Sequence, residues 1–321
     1  MEFWNNYIVV FLDILGLTAV AAAKYRIFYV YILSSVIIAF LYFRLIFVQK
    51  KSNKNLSFLR YILPKSIWLH RSAIIDYQLF VLNNLLKVLL IAPYFMAHLS
   101  AAYLVTSAWE YFWAYQDALS LDSNYINLLY SVVFILLSDF SRFLFHYCFH
   151  KIPILWQFHK VHHSAEVLTP MTLYRVHPFE YICLKMRSVI VFGAITGSFY
   201  FWFRAGLQPI SILKIQAAIF IFNLLGANLR HSHIPIRFGK YFERIFISPA
   251  QHQIHHSNDS IHFDKNFGSI FAFWDGLFGT LEISQQKQKI RFGIEAQEQK
   301  KYKTLTDNIL KPILALFSNK P

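Results

Sequence analysis

Apolar residues gather in long runs near 7–23, 27–47, 79–106, 125–145, 188–203 and 209–229. A helix needs about 20 mostly apolar residues to cross the hydrocarbon core of a bilayer, and the first four runs approach or reach that length. The cleanest is Val88–Trp109, which has no formal charge apart from a possible one on His98. Arg187, Arg204, Lys214 and Arg230 bound the last two runs, and each leaves an uncharged stretch of only about 24 Å at about 1.5 Å per residue. Such short stretches predict a hairpin whose arginines snorkel to the interface, or a re-entrant pair that never fully crosses. The pattern predicts an all-α polytopic membrane protein of four spans plus this short apolar hairpin. The opening "MEFWNNYIVV" lacks the basic n-region of a cleaved signal peptide, so the first run is expected to stay in the mature chain.

Composition agrees: 56% of the 321 residues are hydrophobic and only 15% are charged, a balance rare in soluble domains. Loop charge adds an orientation. Residues 49–65 carry five basic residues and no acidic one, whereas 107–125 carry Glu110, Asp117 and Asp122 and no Lys or Arg. The positive-inside rule puts 49–65 in the cytoplasm and 107–125 outside. Lys24 and Arg26, in the turn between the first two runs, violate that rule slightly. The net charge of +14 fits basic residues flanking spans beside an anionic inner leaflet; no nucleic-acid motif accompanies it. Cys148 and Cys183 lack metal-pair spacing, and a cytoplasmic setting predicts free thiols. No internal repeat or flexible linker divides the chain. The expected organisation is N-terminal spans over 1–124, a catalytic region over 125–282 and a charged tail over 283–321.

The candidate chemistry lies in histidine. Twelve of the 14 histidines fall between residues 146 and 262; His70 and His98 are the exceptions. In "DFSRFLFHYCFH" a helix puts His146 and His150 on one face. Asp139 lies two turns earlier on the same stripe, with Arg142 between. Asp139 is expected either to orient a ligating histidine or to pair with Arg142. "LWQFHKVHHSAE" and "SPAQHQIHHSND" each write His-x-x-His-His: His159, His162 and His163, then His252, His255 and His256. In a helix the first and third imidazoles of each motif stand about 40° apart, so one motif can feed one point or two adjacent points. Eight clustered imidazoles exceed the four ligands of a structural zinc site and suit two transition metals, with iron, copper and zinc all compatible with nitrogen ligands. With the loop charges, this places a His-rich dimetal site on the cytoplasmic face.

The set His146-x-x-x-His150, His159-x-x-His162-His163 and His252-x-x-His255-His256 resembles the fatty acid hydroxylase/sterol desaturase superfamily of membrane di-iron enzymes. The words "RVHPFE", "NLRHSHI", "DKNFG" and "FWDGLFGT" extend the resemblance over roughly 130–282. It implies that the eight motif histidines are metal ligands and that a ninth comes from "RHSHI", where family spacing favours His233 over His231. His177, His231 and His262 are carried over as supporting residues, expected to hydrogen-bond around the metals rather than to ligate. The implied cofactors are two iron ions, with zinc possible as purified and O2 as co-substrate. The implied activity is hydroxylation or desaturation of a lipid reached from the bilayer. Because the chain has no haem- or flavin-binding motif, electrons are expected from a separate ferredoxin-like or cytochrome-like donor and its reductase. The implied location is an inner membrane, or the endoplasmic reticulum of a eukaryote. Two other classes fit less of the pattern. A metal transporter needs ligands along a path near the bilayer midplane, and a catalytically inactive scaffold is expected to have lost a motif histidine.

Overall fold

The computed structural model describes residues 26–317 apart from 51–56, 115, 116, 118, 120, 205–208 and 286–289, together with 12, 15 and 18–21. Among these residues the regular elements are helical, and two isolated bridges, Phe246–Phe271 and Ser257–Phe292, provide the only β pairing. The main helices are α1 (Tyr29–Lys50), α2 (Arg71–Trp113), α3 (Ser123–Lys151), α4 (Pro153–His163), α5 (Pro178–Phe203), α6 (Pro209–Leu224), α7 (Pro249–His255), α8 (Phe273–Phe278) and α9 (Leu305–Ala315). Helices α1, α2, α3 and α5 contain stretches long and apolar enough to cross a membrane, the architecture of an integral membrane protein. The apolar run 7–23 lies largely outside the described residues.

The anticipated short hairpin over 188–229 is half corrected. Its first arm belongs to α5, a helix of 26 residues and about 39 Å, long enough to span. Lys185 and Arg187 bound the apolar run but do not end the helix, because a charge interrupts hydropathy without interrupting backbone hydrogen bonding. Lys185 lies against the rings of Tyr94 and Tyr181, at 5.0 and 5.1 Å. Helix α6, with 16 residues, stays short, yet the chain returns to the side it left: His231 lies 3.3 Å from His162 on α4.

Helices α2 and α5 pack closely because α5 presents Gly193 and Gly197, four residues apart. A Cβ on Gly193 would stand 2.6 Å from the Ala101 Cβ, and one on Gly197 would stand 2.5 Å from the Ala102 carbonyl. Small residues at this spacing let two helix backbones approach, and the Thr106 hydroxyl donates to the Gly197 carbonyl at 3.1 Å. Ile126 and Tyr130 of α3, Ile195 and Phe199 of α5 and Ile215 of α6 form one core. A second core joins Ile75 and Leu79 of α2 to Val161 of α4 and Tyr302 of the C-terminal segment.

The two ends of this bundle carry different loops. At one end Arg204 pairs with Glu110 at 2.8 Å, and the Leu119 amide donates to the Trp202 carbonyl at 2.9 Å. At the other end lie the histidines, where the His233 ring donates to the Tyr61 carbonyl at 2.7 Å. The acidic 107–125 connection and the end of the basic 49–65 segment therefore sit at opposite ends.

Candidate metal centre

Helix α3 delivers His146 and His150 on its last turns and stops at Ile152. Proline at 153 lacks an N–H and disfavours helical backbone in the residue before it, and Ile152 is extended, with φ −95° and ψ 115°. The chain restarts as α4 and brings His159, His162 and His163 back against α3. Helix α7 begins with a capping box, in which Ser248 and Gln251 satisfy one another's backbone amides, and Pro249 occupies its first turn. Short as it is, α7 is fixed at its start and carries His252 and His255, with His256 at its C-cap.

These elements assemble nine imidazoles into two groups. The first holds His146, His150, His159, His163 and His255; the second holds His162, His231, His252 and His256; within each, one nitrogen per ring lies within 4.8 Å of the others. Each His-x-x-His-His motif is divided between them. Helix α4 gives the i, i+4 pair His159 and His163 to the first group and His162 to the second. The α7 motif gives His252 and His256 to the second and His255 to the first. The motif is written twice because each copy supplies both sites.

The ring orientations suit cations. His146 Nδ1 donates to the Phe267 carbonyl at 2.9 Å, and His159 Nδ1 donates to Glu180 Oε1 at 2.8 Å. Their Nε2 lone pairs then face each other at 3.1 Å, an arrangement that a shared cation relieves. His255 Nδ1 donates to the Lys265 carbonyl at 2.8 Å, leaving its Nε2 buried without a partner. Nitrogens held in this way, with the far nitrogen fixed by a carbonyl or carboxylate, fit metal ligation. Burial pushes His231 and His255 down to about 3, with Arg26 and Arg230 contributing at His231. Burial also holds His162, His163, His252 and His256 well below the ordinary histidine range. All six rings are therefore neutral, the form that binds metals.

Four predicted residues lie outside both groups. His233 lies outside both groups; beyond the extended backbone of Ser232 it turns toward Tyr61, and His231 occupies the ninth position. Asp139 reaches no histidine. It accepts from the amides of Ile270 and Phe271 and from the Trp274 indole, at 2.9, 3.1 and 3.1 Å, and so fixes the loop whose Phe267 carbonyl orients His146. The carboxylate on a candidate ligand is instead Glu180, within "RVHPFE", in the first turn of α5. His177 caps α5, accepting from the Phe179 amide at 3.0 Å while its Nε2 donates to the Ile309 carbonyl at 3.0 Å. His262 lies against Ser257, 2.8 Å from its hydroxyl, and is likewise outside the groups.

Two further buried groups lie within the quoted words "RVHPFE" and "FWDGLFGT", which gave them no role of their own. Arg175 is fully buried; it pairs with Asp76 at 2.9 Å, donates to the Val161 carbonyl and Ser164 hydroxyl at 2.7 Å each, and reaches Asn308 at 3.2 Å. Its own carbonyl accepts from His162 Nδ1 at 3.3 Å. One side chain thus joins α2, α4 and the C-terminal segment behind the second group. Asp275 accepts from the Phe267 and Gly268 amides at 2.7 and 2.8 Å and holds the same loop as Asp139.

A cavity of about 400 Å³ opens onto both groups, touching His146 and His159 of the first and His162, His231 and His252 of the second. Another, of about 390 Å³, meets the first group from a different side at His150, His163 and His255.

Fold and site together define a helical membrane protein with a histidine-rich centre able to hold two metal ions. Residues 131–280, just under half of the chain, match the family described as fatty acid hydroxylase. It is similar to human alkylglycerol monooxygenase, 28% identical over 46% of this chain and 30% of that protein. It is also similar to the ornithine lipid hydroxylase OlsE of Rhizobium tropici, 24% identical over 56% of this chain and 51% of that protein. Human cholesterol 25-hydroxylase is 28% identical over 49% of this chain and 53% of that protein. The chain thus aligns with between 30% and 53% of the length of these relatives. No solved structure matches it.

Proposed function

We propose that the chain is a membrane-bound, O2-dependent oxidoreductase that hydroxylates or desaturates a lipid at an unactivated C–H bond, using two iron ions. The carrying observation is the division of nine imidazoles, five and four, around one cavity. The three relatives' names, a monooxygenase and two hydroxylases acting on lipids, support the same class and favour hydroxylation. A transporter fits less well because the ligands gather at one end of the bundle. A scaffold fits less well because all eight motif histidines lie in the two groups.

Bound iron would supply O2 activation and hydrogen removal, which no side chain performs alone. The chain's own residues hold and orient. Glu180 and the Phe267 and Lys265 carbonyls keep His159, His146 and His255 in the tautomer that presents Nε2. Asp139 and Asp275 keep the Phe267 loop closed over the first group, and the apolar cores of α2, α3 and α5 limit access from bulk water. The lipid enters sideways from the bilayer, and electrons come from a separate ferredoxin-like or cytochrome-like donor and its reductase. The charge of 49–65 supports a cytoplasmic location for the histidine end.

The test is metal content together with turnover. Protein purified without oxygen and reconstituted with ferrous iron is expected to hold close to two metals per chain and, with a reductase, to add one oxygen or remove two hydrogens from a lipid. Because burial depresses the ligand rings, metal release on acidification should begin below the usual histidine value of about 6.5. His150→Ala, His163→Ala and His256→Ala are expected to abolish turnover while membrane insertion persists. A single metal per chain under iron-replete anaerobic conditions, or full turnover in His256→Ala, would overturn the reading.

A further inference from the structure

Arg175, Arg204 and Lys160, buried or half-buried, each have a carboxylate partner: Asp76, Glu110 and Glu298, at 2.9, 2.8 and 3.3 Å. The cavity that touches both histidine groups breaks this habit. Arg26, Arg142, Lys185, Arg187 and Arg230 all line it, and Glu180, whose Oε1 holds His159, is its only acidic lining residue. Among the described residues none of the five cations forms an ion pair. Asp139, the candidate partner of Arg142, spends both oxygens on the 270–274 segment.

The hydrogen bonds and ring contacts of Arg187, Arg230 and Lys185 are to neutral groups, and the single Asp139 carboxylate acts on Arg142, Arg187 and Arg230 only from a distance. Arg187 donates to the Ser138 carbonyl at 3.2 Å and to the Ser141 hydroxyl, while its Nε is buried without a partner. Arg230 donates to the Ser269 and Ile247 carbonyls and lies 4.8 Å from the Phe222 ring. Lys185 faces two tyrosine rings. Arg142 is exposed on α3, one turn before His146, in a helix otherwise apolar enough to span. Charges in such a setting are costly unless they serve a polar ligand or pathway, and carbonyls and rings do not neutralise them. A phosphate or carboxylate does, and a guanidinium fork matches either geometrically.

We propose that this cavity selects its lipid by an anionic headgroup, a phosphate or a carboxylate, held by Arg142, Lys185, Arg187 and Arg230. This rests on the lipid-oxygenase reading and adds a position for the chemistry. Arg142 is one turn from His146 and Arg230 adjoins His231, so the headgroup lies beside the imidazoles of both groups. The bond oxidised is then close to the headgroup and not far along the acyl chain.

The test reads binding without iron or O2. The full chain in neutral detergent is titrated with oleate and with lysophosphatidic acid, and with monooleoylglycerol as the neutral lipid of the same chain, by native mass spectrometry. The anionic lipids are expected to bind at least about tenfold more tightly, as charge-assisted bonds to several cations imply. Arg142→Gln and Arg187→Gln should lose most of that preference, Arg142→Lys should retain part of it, and Lys303→Gln, on an exposed surface elsewhere, should leave it unchanged. Equal binding of anionic and neutral lipids would overturn the proposal, as would a preference that survives Arg142→Gln and Arg187→Gln. Displacement of bound lipid by an equal concentration of inorganic phosphate would also overturn it, since the site would then serve a soluble anion. Selective anionic binding without any O2-dependent product would sustain the headgroup assignment while defeating the oxygenase reading. Oxidation of the neutral lipid with no binding preference would do the reverse.

Discussion

At the scale of single residues, two histidines two positions apart have different fates. His231 ends a 3-10 turn, Ala227–His231, with its Nε2 2.9 Å from that of His252 and 3.2 Å from that of His256. His233 follows an extended residue and spends its ring on a carbonyl of the 49–65 segment. His231→Ala is therefore expected to weaken metal binding in the second group, which then keeps three nitrogens, and to lower the metal content below two per chain. His233→Ala is expected to keep both irons and lose only the tie to Tyr61. Elemental analysis of the two variants after anaerobic reconstitution decides between them; metal loss in His233→Ala alone would restore the assignment made from spacing. Glu180 belongs to the same scale. A helix stripe led to Asp139, since both lie on one predicted helix, but orientation of a ring depends on what faces it across the fold, and that is the first turn of α5.

At the scale of elements, backbone chemistry sets the histidine geometry. Pro153 separates α3 from α4 so that the eight residues between His150 and His159 fold back, and the Ser248–Gln251 box starts α7 at a fixed register. The scaffold behind them depends on how near α2 and α5 approach. Gly197→Val would drive a side chain into the Ala102 carbonyl and the Val105 side chain, where a single added Cβ already stands at 2.5 and 2.7 Å. Overpacking of this kind costs about 1–3 kcal/mol, which a lower thermal midpoint in detergent will register. Gly276→Ala is the contrasting case, since its added Cβ meets only Leu281 at 4.0 Å in a helical turn; it is expected to be neutral or slightly stabilising. Equal loss in both variants would show that the helix contact is not what limits stability.

At the scale of the whole molecule, the histidines, the Tyr61 segment and the start of α2 share one end of the bundle, while Glu110 and Leu119 share the other. If basic loops stay inside, a reporter fused after Ser52 or at the C-terminus reads cytoplasm, and one at Asp117 reads the opposite side. A cytoplasmic signal at Asp117 would invert the proposed orientation and move the metal centre with it.

Local spacing made part of this protein legible in its sequence. Helical class, the apolar stretches and the eight motif histidines were all legible, because hydropathy and i, i+4 geometry act within one element. The N-terminal arm of α5 was not, since Lys185 and Arg187 interrupt an apolar run without interrupting a helix. Nor was the C-terminal segment, which looks like a charged tail yet buries Tyr302 and Asn308 because their partners, Val161 and Arg175, are more than a hundred residues away in the chain. Tertiary structure alone decided the division of each histidine motif between two groups, the choice of His231 over His233, the pairing of Glu180 with His159 and the crowding of unpaired cations around one cavity. Each of these depends on which side chains meet across elements distant in sequence, and spacing within a single helix carries no information about that meeting.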